Sequence, residues 1–244
     1  MTTELALGVQ GLGVRVGSRW IVRDVTFDAK RGEIVAVIGP NGAGKTTLLE
    51  TIVGLRRTSA GMVWVQGRAL DRFADFARTF SFLPDAGTLP PEATVRTLID
   101  HACSLARHGL DTRALREGLT LDPLLTKPAG ILSRGEHQRV ALFCSLALGR
   151  AVAVLDEPFS AFDPLQLRKV LAAVRDVIGA TTTVIASIHQ LGDAERFADR
   201  ILLLADGKMV AFGELASLRN RVGNAEGSLE DVFVSLLGEA NLAS

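Results

Sequence analysis

The run Gly39, Pro40, Asn41, Gly42, Ala43, Gly44, Lys45, Thr46, Thr47 is where residue type and spacing point most directly to chemistry. It contains G-x-x-x-x-G-K-[ST], the spacing of a phosphate-binding loop. Glycines there let backbone N–H groups close around an anion, and a helix starting at the lysine points its partial positive charge at the same place. Lys45 then reaches the β- and γ-phosphates of a nucleoside triphosphate, and the Thr46 hydroxyl is the expected Mg²⁺ ligand. The apolar run Ile34–Ile38 supplies the strand that must lead into the loop, and Leu48 and Leu49 suit the helix that must leave it. The motif with these flanks predicts binding of a nucleoside triphosphate.

Downstream, Ala151–Leu155 is an apolar strand ending at Asp156, with Glu157 next and Pro158 stopping regular structure. In phosphate-loop enzymes an acid so placed supports Mg²⁺, and a carboxylate one residue on can orient a water for in-line attack on the γ-phosphate. Asp156 is therefore a candidate metal-supporting residue and Glu157 a candidate catalytic one. Between the two motifs, Leu132-Ser-Arg-Gly-Glu136 precedes a helical pattern. Ser133 and the N–H of Gly135 stand at the start of that helix, a natural anion site.

The elements that must position these groups fall into zones. Residues 1–83 alternate apolar strands with turns: Leu5–Val9, Ile21–Phe27, Ile34–Ile38 and Met62–Val65. From 84 to 148 the period changes. Val95, Leu98, Ile99, Ala102, Leu105 and Ala106 predict an amphipathic helix of about four turns closed by Gly109, and a second helix spans Gly135 to Leu148. Strands return at Ala151–Leu155, Thr182–Ile188 and Ile201–Ala205, with a helix over Pro164–Ile178. Apolar strands separated by helices predict a parallel sheet covered on both faces, with the helical zone inserted.

The 244 residues suit one large domain or one domain with an inserted lobe. With 27 basic and 27 acidic residues the net charge is zero, which argues against a nucleic-acid partner. Cys103 and Cys144 lack metal-like spacing and are expected to be buried free thiols in a reducing compartment. Met1-Thr-Thr-Glu4 shows no secretory signal, and no apolar stretch approaches the ~18–20 residues of a membrane span, so a soluble chain without direct membrane insertion is expected.

At Leu132–Glu136 the chain resembles the ATP-binding cassette (ABC) ATPases, whose signature is Leu-Ser-Gly-Gly-Gln before a helix. Ser160-Ala-Phe-Asp163 is similar to the family's D-loop, and His189 to its switch histidine; order and spacing agree from Leu5 to Gly213. The resemblance implies the P-loop NTPase ABC ATPase fold: α/β, with a mostly parallel core sheet (1–83 and 149–213) and an N-terminal antiparallel β-subdomain. It also implies an inserted helical signature subdomain (84–148) and a C-terminal helical tail (214–244). Its implied activity is ATP hydrolysis with ATP and Mg²⁺, Lys45, Glu157 and His189 being catalytic. Ser133, Gly135 and Glu136 would meet the nucleotide of a second cassette, most simply in a homodimer. Asp85, in Phe82-Leu-Pro-Asp85 at the place of the family's Q-loop glutamine, would join Thr46 and Asp156 at the metal. Val16 stands where relatives stack an aromatic on adenine, with Trp20 as the nearby alternative.

Arg134 and Glu136 depart from the signature, and a carboxylate at 136 would repel nearby ATP. His137 reads as a dimer-seam residue or a plain surface helix position. The resemblance further implies a separate membrane permease, which would hold the chain on the cytoplasmic side at the inner face of the plasma membrane. Leu89, apolar in a Pro- and Gly-rich loop, is the expected permease contact. The tail Gly227–Phe233, with Leu236 and Leu237, resembles the end of bacterial exporter cassettes, and also reads as an amphipathic helix capped by Ser228. The expected function is the ATPase subunit of a bacterial ABC exporter. A non-transport cassette of the iron–sulfur assembly type, or a weakly catalytic member of a heterodimer, is the alternative.

Overall fold

In the first hairpin β1 (Leu5–Val16) pairs antiparallel with β2 (Arg19–Lys30), whose Val22, Val25, Phe27 and Ala29 are buried. Both strands in this computed structural model, which describes residues 5–85, 87–106, 112–178 and 182–242, outrun their expected ends at Val9 and Ile21. Gly11 (φ +59°) and Asp24 (φ +52°) take left-handed conformations where the register shifts, so bulges interrupt the pairing without ending it. β3 (Ile34–Ile38) is buried at every residue and leads to α1 (Lys45–Ile52). β4 (Ala60–Val65) and β5 (Arg68–Ala69) follow, then α2 (Phe73–Thr79) and β6 (Phe80–Leu83). The helical stretch contains α3 (Val95–Ser104), α4 (Arg113–Gly118) and α5 (Arg134–Ala147). The chain then runs β7 (Val152–Asp156), α6 (Pro164–Ile178), β8 (Thr183–Ser187) and α7 (Leu191–Phe197). It ends with β9 (Arg200–Ala205), β10 (Lys208–Gly213), α8 (Leu215–Arg221) and α9 (Leu229–Leu242).

These strands make an antiparallel sheet of order β2-β1-β4-β5 and a larger one of order β10-β9-β3-β8-β7-β6, parallel except at β10. The period-2 alternation of β3 divides the core. Ile34, Ala36 and Ile38 face a cluster with Val95, Leu142 and Phe143 of the helical stretch; Val35 and Val37 face α1 and the antiparallel sheet, against Leu48, Leu49 and Leu7. Each fully buried Val, Leu, Ile or Phe side chain among them contributes roughly 1.5–3 kcal/mol.

α3 is shorter than expected. It is capped at Thr94 and stops at Ser104, whose hydroxyl donates to the His101 carbonyl at 2.7 Å; His108 and Gly109 lie outside the described residues. Both cysteines are free and half-buried. Among the described residues no helix is long and apolar enough to cross a membrane.

The two sheets are joined by charge as well as by apolar packing. The Arg200 guanidinium donates to Glu33 (2.6 Å) and Asp28 (3.0 Å) and lies 4.4 Å over the Phe212 ring. The Arg200 and Glu33 side chains are only 13% and 9% exposed, so removing one partner strands the other charge away from water. Arg200→Ala should cost about 3 kcal/mol of stability, measured by urea unfolding.

Candidate functional site

The loop after β3 is built by close approach. Gly44 has φ +101°, and a Cβ on it would stand 2.8 Å from the Ile21 carbonyl oxygen, so only glycine fits. Gly207 N–H donates to the Ala43 carbonyl (3.0 Å), bracing the loop from the β9–β10 turn. Gly44 is also the N-cap of α1 and offers no side-chain acceptor, which leaves the first N–H groups of the helix open to an anion. Lys45 is 8% exposed, and its ammonium donates to the carbonyls of Gly39 (2.9 Å) and Pro40 (3.4 Å). Among the described residues neither Lys45 nor the buried Asp156 forms an ion pair. A buried ammonium held by neutral carbonyls is matched to an anion, and a buried carboxylate without a cationic partner to a cation.

β7 and β8 bring the acids to this loop. Asp156 pairs in register with Ser187, whose hydroxyl donates to Asp156 Oδ1 at 2.5 Å and accepts the Glu157 N–H at 2.8 Å. Glu157 has φ +50°, unusual for a residue with a side chain. A cavity of about 440 Å³ is lined by Ile21, Asn41, Gly42, Lys45, Thr46 and Glu157. Glu157 also lines a second cavity of about 210 Å³, with Ser187, His189 and Asp193. Glu157 is thus the shared wall between the phosphate-loop cavity and His189.

Other expected site residues lie elsewhere. Val16 is 58% exposed at the end of β1 and lines neither cavity; Ile21 is the β2 residue that does. Trp20, one residue from Ile21 and so on the opposite face of the strand, rests on Gly13 beneath the Arg15 guanidinium (5.7 Å). Asp85 is exposed after β6, the edge strand, and lines neither cavity.

Ser133, Gly135 and Glu136 are also absent from both cavities of their own chain. Ser133 caps α5, its hydroxyl accepting from Glu136 N–H, while the Glu136 carboxylate accepts from Ser133 N–H (2.9 Å) and pairs with Lys127 (2.8 Å). The charge expected to repel ATP is therefore compensated within its own lobe. Gly135 fits under the Ala161 carbonyl, where a Cβ would come within 3.2 Å. His137 is half-buried, and its Nε2 accepts the Leu89 N–H at 3.2 Å. Leu89 itself packs against the core cluster, so the expected apolar permease contact is turned inward. Ile21 and Ser187 were missed: strand alternation could have flagged the first, but nothing local marks the second.

Comparison with known proteins agrees with this geometry. The family described as ABC transporter matches residues 22–160. The ABC-type transporter ATP-binding protein EcsA of Bacillus subtilis (strain 168) is 29% identical over 231 residues, covering 90% of this chain and 91% of its own. The thiamine import ATP-binding protein ThiQ of Jannaschia sp. (strain CCS1) is 36% identical over 219 residues, covering 86% and 93%. A solved structure of the ATP binding subunit of an ABC transporter superposes with a TM-score of 0.84 at 30% identity, over 95% of this chain and 99% of that one.

The Glu136 cap has a pH signature. The Lys127 ammonium first, and the Ser133 amide second, hold its carboxyl down from 4.5 to about 2. A carboxyl depressed on folding stabilises fully above its unfolded value and loses that contribution as pH falls through the folded one. Glu136→Gln keeps an acceptor for Ser133 and removes the ion pair. It should therefore be less stable than wild type above pH 4.5, with the gap closing toward pH 2, as read from urea midpoints across that window.

Proposed function

This chain belongs to the ABC transporter family, and we propose that it is an ATP-hydrolysing subunit that energises a separate membrane permease as one of two cassettes closing on ATP. The observation that carries this reading is the meeting of the Gly39–Thr47 loop and Glu157 on one cavity, with Lys45 buried and, among the described residues, in no ion pair. In this reading Lys45 and the first N–H groups of α1 bind the phosphates. A Mg²⁺ ion would be held by the Thr46 hydroxyl and, from the β7 side, by Asp156, and would neutralise charge on the β- and γ-phosphates. Glu157 takes the proton of the attacking water, and His189 approaches the γ-phosphate from the adjoining cavity. Asp85 is exposed and lines neither cavity, so this reading gives it no metal contact.

Ser133 and Gly135 do not reach the phosphate-loop cavity of their own chain, which supports a nucleotide contact supplied by a second copy. The simplest pairing is a homodimer, seated through its permease at the cytoplasmic face of the membrane. Export, the direction expected from the tail, gains no support. ThiQ is named for import, and α9 buries Leu229, Val232 and Leu236 in its own core, which accounts for the apolar pattern of the tail without a direction of transport.

Lys45→Ala should weaken ATP binding by about 2 kcal/mol, roughly 30-fold, measured by calorimetric titration. Glu157→Gln should keep ATP binding and lower kcat by at least about 100-fold. On size exclusion with saturating Mg-ATP it should run as a persistent dimer. A Glu157→Gln chain that stays monomeric there would remove the two-cassette arrangement.

A further inference from the structure

We propose that Ser187 is a positioning residue for ATP hydrolysis, its hydroxyl holding the Asp156 carboxylate and the Glu157 backbone in the relation that aims Glu157 at the site. This deepens the reading above and rests on it. Ser187 ends β8 directly beside Asp156 of β7, and the two are 0% and 1% exposed, so water cannot substitute for either partner. Its hydroxyl is used in both senses, as donor to Asp156 Oδ1 at 2.5 Å and as acceptor from Glu157 N–H at 2.8 Å. A hydroxyl has one proton to give and lone pairs to receive, so a single atom satisfies a buried carboxylate and a backbone amide together.

The consequence follows from the backbone. Glu157 sits at φ +50°, a region that residues with a Cβ leave unless the surroundings hold them there. The Glu157 N–H bond to Ser187 is such a hold, made at the residue itself. If the backbone relaxes to an extended or helical conformation, the Cα–Cβ direction changes. The carboxylate then leaves the wall it shares between the phosphate-loop cavity and the His189 cavity. At the same time Asp156 loses a donor in a place without solvent. Ser187 touches no substrate in this scheme; it acts through its two neighbours.

The test uses the full chain carrying Ser187→Ala, Ser187→Cys and Ser187→Thr, with ATPase kinetics and amide exchange of the nucleotide-free protein followed by NMR. Ser187→Ala should lower kcat roughly 100-fold, as a displacement of about 1 Å at the reacting groups does, while KM for ATP stays within about threefold. The Glu157 amide should lose its exchange protection, which a purely packing role for Ser187 would leave in place. Ser187→Thr keeps the hydroxyl and should recover most of both. Should Ser187→Ala fail to fold, Ser187→Cys fills the volume with a much weaker hydrogen-bonding group and should show the same two losses. Wild-type kcat in the Ala or Cys chain, or a loss of kcat with the Glu157 amide still protected, overturns the proposal. A wild-type chain that hydrolyses no ATP instead overturns the functional reading, whatever the exchange result.

Discussion

Parallel pairing of β3, β8 and β7 sets the terms for the rest of the molecule. Neighbouring strands lie about 4.8 Å apart and these three run the same way, so the segments that follow them emerge side by side on one edge of the sheet. What emerges is the phosphate loop after Ile38, Ser187 leading to His189, and Asp156 leading to Glu157. The strands hold that register because they are buried on both faces; a slip of one residue would send Val35 and Val37 to the helical side and Ile34, Ala36 and Ile38 to the other.

The two ends of β3 treat charge in opposite ways. At its start, Arg200 pairs with both Glu33 and Asp28 and lies over the Phe212 ring, closing the seam between the sheets. At its end, Lys45 and Asp156 are buried and, among the described residues, form no ion pair, and the glycine loop leaves helix N–H groups open. Uncompensated buried charge destabilises a fold. It persists here because the apolar core on both faces of the sheet offsets it, and under the proposed function that cost readies the site for a phosphate and a cation. The left-handed backbone of Glu157 is a smaller instance of the same balance, held by one buried hydroxyl.

α5 links the helical stretch to this edge at several points. Gln138 donates to the Pro158 carbonyl just past Glu157 (3.1 Å), Gly135 lies against Ala161, and His137 receives the Leu89 N–H from the loop that follows β6. A displacement of the loop after β6 therefore bears on the same helix whose start carries Ser133. That contiguity joins the loop after β6 to the edge that carries Glu157 through packed and hydrogen-bonded groups.

Much of this was legible in the residues themselves. The phosphate loop, the strand ending in Asp156-Glu157, the helix start at Ser133 and the apolar strands of the parallel sheet are local patterns, and local chemistry fixes them: glycine where φ is positive, a helical period opening after Ser133, unbroken apolar strands. The sequence could not say that Val16 and Asp85 stand away from the cavities, that Leu89 turns inward, or that Glu136 is neutralised by Lys127. Nor could it single out Ser187, a serine like any other until β8 lies beside β7. Those outcomes depend on the register between strands, and on which face a loop packs against. These are set by burial summed over the whole core, and only the tertiary structure decides them.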